Sequence, residues 1–202
     1  VGAVVGAVQS GKTASMVGLI SHLFDKGYDA VIVLTGTKND LNLQTAIRLK
    51  NDVFDFGQNV LDPRTYNPLY CTSPYGEGPH RGIEQNQDFF SSPVQLGHGV
   101  EWNGWEASMN QALRNSKPSL CVSKKHVAKA IPSMIRTMDR LNQYCISLNK
   151  RKLRWAVIDD ESDQVTVSGR SDAATPAQLA AVASIGECVY ISYSATPQAN
   201  LF

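Results

Sequence analysis

Residues 1–20 read VGAVVGAVQSGKTASMVGLI, and the middle of that stretch decides the fold. Val1 to Val5 is an apolar run of strand length, and Gly6 to Thr13, GAVQSGKT, matches the spacing G-x-x-x-x-G-K-[ST]. From Lys12 to Lys26 the apolar residues Met16, Leu19, Ile20, Leu23 and Phe24 recur at helical spacing, and Gly27 supplies a stop. A strand, a glycine turn and a helix in that order suit a polyphosphate. Gly6 and Gly11 let backbone N–H groups turn inward where a Cβ would clash. The helix aims its N-terminus at the same anion. Lys12 adds a positive charge for the outer phosphates, and the Thr13 hydroxyl is a ligand for Mg²⁺.

A second stretch, WAVIDDESDQ at residues 155–164, places four carboxylates within five residues behind an apolar strand. A buried strand ending in acids is the arrangement in which one Asp holds Mg²⁺ and a neighbouring Glu orients the attacking water. Read as D-E-x-D, the metal acid is Asp160, the water-activating residue Glu161 and the coupling acid Asp163; Asp159 offers the same pattern shifted by one. A third stretch, SYSATPQANLF at 192–202, ends the last strand with Ser194-Ala195-Thr196. The expectation is that the glycine–lysine turn and the acids meet at the tips of neighbouring strands.

Between these stretches the chain alternates strand and helix. AVIVL at 30–34 is a continuous β-branched run, as in a parallel strand covered on both faces. Asp40 to Phe54 reads as a helix, SLCVS at 119–123 as a strand, and Ile131, Met134, Ile135, Met138, Leu141, Cys145 and Leu148 form one helical stripe. Trp155–Ile158 is a strand, Pro176–Ile185 a helix and Cys188–Tyr193 the final strand. From Asp55 to Lys117 the period dissolves under five prolines and many Gly and Asn residues, which predicts an inserted, partly irregular excursion. The whole is expected to be one α/β domain over 1–202: a three-layer α/β/α, RecA-like P-loop fold with a mainly parallel sheet, ligands gathering at the carboxyl ends of its strands.

The bulk numbers narrow the function. With 43% hydrophobic and 18% charged residues the 202-residue chain is globular, and a net charge of +1 gives no global field for nucleic acid. The four cysteines are scattered without a C-x-x-C pair, which argues against zinc or a disulfide framework and fits a reducing cytoplasm. No apolar run is long enough to span a membrane. The lack of an initiator Met, with a strand apparently cut into at residue 1, reads as a piece of a larger protein.

A phosphate loop, a D-E-x-D box and an S-A-T box in that order resemble the first RecA-like lobe of superfamily-two helicases and translocases. The wording of VQSGKTASMVGLI, GYDAVIVLTGT with LNLQTAIRL, VIDDESDQ and YISYSATPQANLF is similar to the Z-one domain family. Its members are helicase-like ATPases that carry an endonuclease label and accompany restriction and phage-defence systems. The resemblance implies Mg²⁺·ATP held by Gly6, Gln9, Ser10, Gly11, Lys12 and Thr13, with Thr13 and Asp160 on the metal. Lys12, Asp160 and Glu161 would be catalytic, and Ser194 and Thr196 would link hydrolysis to movement. Thr35, Lys38, Asn42 and Gln44 occupy the place where such lobes touch a DNA backbone; they read equally as a capping loop with a solvated face. The resemblance further implies a missing second RecA-like lobe bearing an arginine finger, and a nuclease domain or subunit. An isolated lobe is expected to turn over little ATP.

Two other readings stand beside this one: a terminase-type DNA-packaging ATPase, and a nucleotide-binding scaffold without turnover. Trp102 and Trp105 could stack bases but read first as pins for the excursion. The basic runs SKKH at 123–126 and NKRKLR at 149–154 read as solvated ends, and His22, His80, His98 and His126 have no metal-ligand spacing.

Overall fold

The computed structural model describes residues 2–5, 11–35, 45, 48–49, 70–71, 100–125, 130–160 and 176–194. In chain order they form β1 (Gly2–Val5), α1 (Lys12–Asp25), β2 (Ala30–Thr35), β3 (Tyr70–Cys71), α2 (Val100–Arg114), β4 (Ser119–Lys124), α3 (Ala130–Asn149), β5 (Arg154–Asp159), α4 (Pro176–Ser184) and β6 (Glu187–Ser194). All pairings among these strands are parallel, in the order β1-β6-β5-β2-β4-β3.

Strand alternation divides the core in two. Ile32, Leu34, Cys121, Trp155 and Val157 pack with α2, α3 and α4 on one face, whereas Val31, Val33, Val122, Ala156 and Ile158 pack with Met16, Ile20, Leu23 and Phe24 of α1 on the other. Helices therefore cover both faces, and the fold is the three-layer α/β/α, RecA-like arrangement with a parallel sheet expected from the sequence. A strand buried on both sides has no polar alternation, which is why AVIVL is apolar throughout.

Local signals explain the element ends. α1 stops in a Schellman motif: the Tyr28 N–H donates to Leu23 O at 3.1 Å and the Gly27 N–H to Phe24 O at 2.9 Å. At the amino edge of the sheet Asp29 joins three elements. Its carbonyl accepts from the Ser119 N–H at 3.0 Å, its carboxylate accepts from the Arg154 N–H at 2.9 Å, and the Arg151 guanidinium grips both carboxylate oxygens. Hydrogen bonding to Asp29 is the main reason the Arg151 pKa is raised. The NKRKLR run is thus a solvated end, exposed over residues 149–152, whose Arg151 also fastens the sheet edge.

Two other expectations change. A regular 15-residue helix, α2, occupies part of the stretch expected to be irregular. Trp102 and Trp105 keep their expected role as pins: both are buried, meet edge to face with centroids 5.7 Å apart, and Trp105 Nε1 donates to Ser119 Oγ at 3.2 Å. The stripe on α3 ends at Cys145, and Leu148 is 41% exposed. The expected helix over 40–54 lies largely outside the described residues; Leu49, within it, is helical and buried against the α1 face.

Candidate functional site

Because every described strand runs the same way, their carboxyl ends form one edge. Register places the elements along it: Val5 sits opposite Ser194, Asp159 opposite Ser192 and Leu34, and Leu34 opposite Ser123. The expectation that β1 and β5 are neighbours is corrected, since β6 lies between them. The strand that feeds S-A-T pairs with both, so the two tips are two strand spacings apart, about 10 Å. A metal-bound triphosphate can span that distance.

On the β1 side, α1 opens at Gly11 in a left-handed conformation, φ 81°, with no side-chain cap and no acidic residue in its first turn. That conformation suits glycine far better than a residue bearing a Cβ. The first N–H groups and the positive end of the helix dipole therefore meet no negative side chain of their own turn. Lys12 and Thr13 are half-buried. One turn on, the Ser15 and Tyr193 hydroxyls share a hydrogen bond at 3.2 Å, which ties α1 to β6 one residue before Ser194. Neither residue was singled out in the sequence; the signal was only that Tyr193 directly precedes the S-A-T box.

On the β5 side, the two consecutive acids separate. Asp159 is 3% exposed and accepts two hydrogen bonds from Lys125 Nζ, at 2.9 and 2.8 Å, and a third from the Tyr190 hydroxyl. Burial, and then the Asp159 charge, raise the Tyr190 pKa, so the phenol stays protonated and donates. Asp160 carries the β2–β5 ladder one bond further, its N–H donating to Leu34 O at 2.8 Å. Alternation through Ala156 and Ile158 assigns Asp160 to the face of α1. The SKKH run is corrected by the same geometry. Lys125 is 4% exposed and paired, not solvated.

The remaining candidates fall as follows. Ser194 ends β6 opposite Val5. Thr35 is 1% exposed, and its hydroxyl donates to Ser123 O at 3.4 Å inside the sheet. Gly6, Gln9, Ser10, Lys38, Asn42, Gln44, Glu161, Asp163 and Thr196 lie outside the described residues. Among the described residues there is no group of three or more His, Cys, Asp and Glu side chains able to hold a metal, and no helix long and apolar enough to cross a membrane.

No family model and no curated protein matches this chain. Among solved structures it is similar to a nuclease-deletion mutant of the Type ISP restriction-modification enzyme LlaGI in complex with a DNA substrate mimic. The TM-score is 0.51 at 15% identity, over 97% of this chain. The likeness is one of fold. This chain spans 15% of that enzyme's chain.

Within that fold, oxygen donors from Thr13 and Asp160 have the chemistry that Mg²⁺ takes, a hydroxyl and a carboxylate. The half-buried Lys12 stands beside Thr13 at the start of α1, where a phosphate would meet backbone N–H groups. The described part of the site therefore fits a magnesium-bound polyphosphate.

Proposed function

We propose that this chain is the nucleotide-binding lobe of a helicase-like, DNA-dependent ATPase of the Z-one type that serves a restriction or phage-defence endonuclease in the cytoplasm. The observation that carries the reading is a coincidence of edge and face: the start of α1 and the end of β5 share one edge of the sheet, and strand alternation assigns Asp160 to the α1 side. Gly6, Gln9, Ser10, Gly11, Lys12 and Thr13 would hold ATP. Thr13 and Asp160 would hold Mg²⁺, which when bound neutralises phosphate charge. Glu161 would orient the attacking water, Lys12 would stabilise charge on the outer phosphates, and Ser194 and Thr196 would pass the result to movement. Lys38, Asn42 and Gln44 would meet the DNA backbone; a second RecA-like lobe would complete the motor.

The test is ATP hydrolysis by the intact protein with and without DNA. Lys12→Ala should abolish nucleotide binding. Glu161→Gln should keep nucleotide binding and reduce hydrolysis at least about a hundredfold, the scale of a lost catalytic base. Wild-type hydrolysis in either variant would overturn the reading. A scaffold without turnover would keep its biological activity in Glu161→Gln. A packaging ATPase would be stimulated by its packaging partners and not by DNA alone.

A further inference from the structure

Asp159 and Asp160 give the acidic box two equivalent registers, and the structure contains a device that distinguishes them. The Lys125 ammonium reaches from the end of β4 across the sheet edge to both oxygens of Asp159, at 2.9 and 2.8 Å, while its own N–H donates to Thr35 O at 2.9 Å. From the other side, Tyr190 on β6, opposite Val157 of β5, donates its hydroxyl to Asp159 Oδ2. Both charged groups are 4% exposed by side chain. An ion pair this buried contributes little stability over apolar side chains of the same volume, because desolvation offsets the attraction. What it does supply is a unique arrangement. A slip of one residue would turn every β5 side chain to the opposite face and would exchange the roles of the two acids. Only the residue at position 159 can sit between Lys125 and Tyr190, so the following acid is held to the α1 side.

We infer that Lys125 and Tyr190 are positioning residues that clamp Asp159 and thereby hold Asp160 toward the nucleotide side of the sheet. The inference deepens the ATPase reading and rests on it. The clamp draws on three strand ends: the tip of β4, the last residue of β5 and the body of β6.

The experiment uses the intact protein and compares Tyr190→Phe with the double variant Lys125→Met/Asp159→Leu, which removes both charges together and keeps the volume. Each is measured for ATP binding, kcat, the Mg²⁺ concentration for half-maximal rate, and melting temperature. Tyr190→Phe should stay folded, bind ATP within about twofold of wild type and lose about fivefold to tenfold in kcat, the scale of one typical hydrogen bond. The double variant should melt at or above the wild-type temperature, yet lose at least about tenfold in kcat and need more Mg²⁺. Rate loss that persists in a stable variant separates positioning from mere support of the fold. Wild-type kcat and Mg²⁺ dependence in the folded double variant, with Asp160→Asn inactive, would overturn the clamp and leave the ATPase reading standing. Undiminished hydrolysis in both Lys12→Ala and Asp160→Asn would overturn the two together.

Discussion

Asp159 and Asp160 are consecutive in the chain but serve opposite faces of the sheet, the first locked to Lys125 and the second continuing the strand toward α1. Identical side chains should therefore fail in different ways. Asp159→Asn leaves the Lys125 ammonium buried without its counter-charge, which costs about 3 kcal/mol or more and should lower the melting temperature by at least roughly 6 °C. Asp160→Asn should lower the melting temperature less than Asp159→Asn does and abolish hydrolysis. Calorimetry and an ATPase assay on the same two proteins check the contrast, and equal melting temperatures would contradict it.

Gly11 begins α1 at φ 81° with nothing among the described residues within 4 Å of the position a Cβ would take. Space is not the constraint there; conformation is. Gly11→Ala should destabilise the protein by about 1 to 2 kcal/mol and weaken ATP binding by more than tenfold, because relief of the strain swings the first helical N–H groups off the phosphate. Denaturant unfolding and nucleotide titration measure the two effects separately.

Gly186 is constrained in the other sense. At φ 63° an added Cβ would lie 2.4 Å from the Leu153 carbonyl oxygen, at a turn where Asn142 Oδ1 also accepts from the Leu153 N–H at 3.1 Å. Gly186→Ala should cost at least about 2 kcal/mol. Lys150, past the end of α3, holds φ 58° with a full side chain. Lys150→Gly should therefore stabilise by a few tenths to about 1 kcal/mol. Opposite signs at two left-handed positions are the result to look for in urea midpoints.

Alkaline pH should unfold the protein from the β6 side. Burial pushes the Cys188 thiol from 9.0 up to about 12, and burial followed by the Asp159 charge raises the Tyr190 phenol above its ordinary 10.0. Both protons are held more tightly in the folded state than in the unfolded one. Their contribution is complete below about pH 9 and falls as pH climbs toward 12, where the unfolded chain has already released them. Melting temperature plotted from pH 8 to 11 should decline, and Cys188→Ala should flatten the first part of the decline.

The periodic elements were legible because each carries its own pattern: α1 and α3 repeat apolar residues at helical spacing, and β2 and β5 are short apolar runs. In α2 the same spacing exists, Trp102, Trp105, Met109, Ala112 and Leu113, but polar neighbours and the prolines upstream of it obscured the stripe. Lys125 was illegible for a different reason. A lysine in SKKH looks solvated until strand order brings it beside an acid 34 residues later, and strand order is not written in any local window. The place of β6 between β1 and β5 escaped in the same way. The apolar strand that carries the acids was readable; on the proposed clamp, the partner of Asp159 chooses between the two registers of the acidic run.

β1 finds its described partner only in β6, where Gly2 pairs with Ile191 and Val5 with Ser194. Among the described strands, β1 can therefore pair only once β6 has been made, and closing so long a loop precedes any reward from that pairing. The strand that leads into the glycine–lysine turn thus joins the described sheet late. A chain truncated before β6 would keep its acids and its helices and, on the proposed function, would still fail to grip a nucleotide.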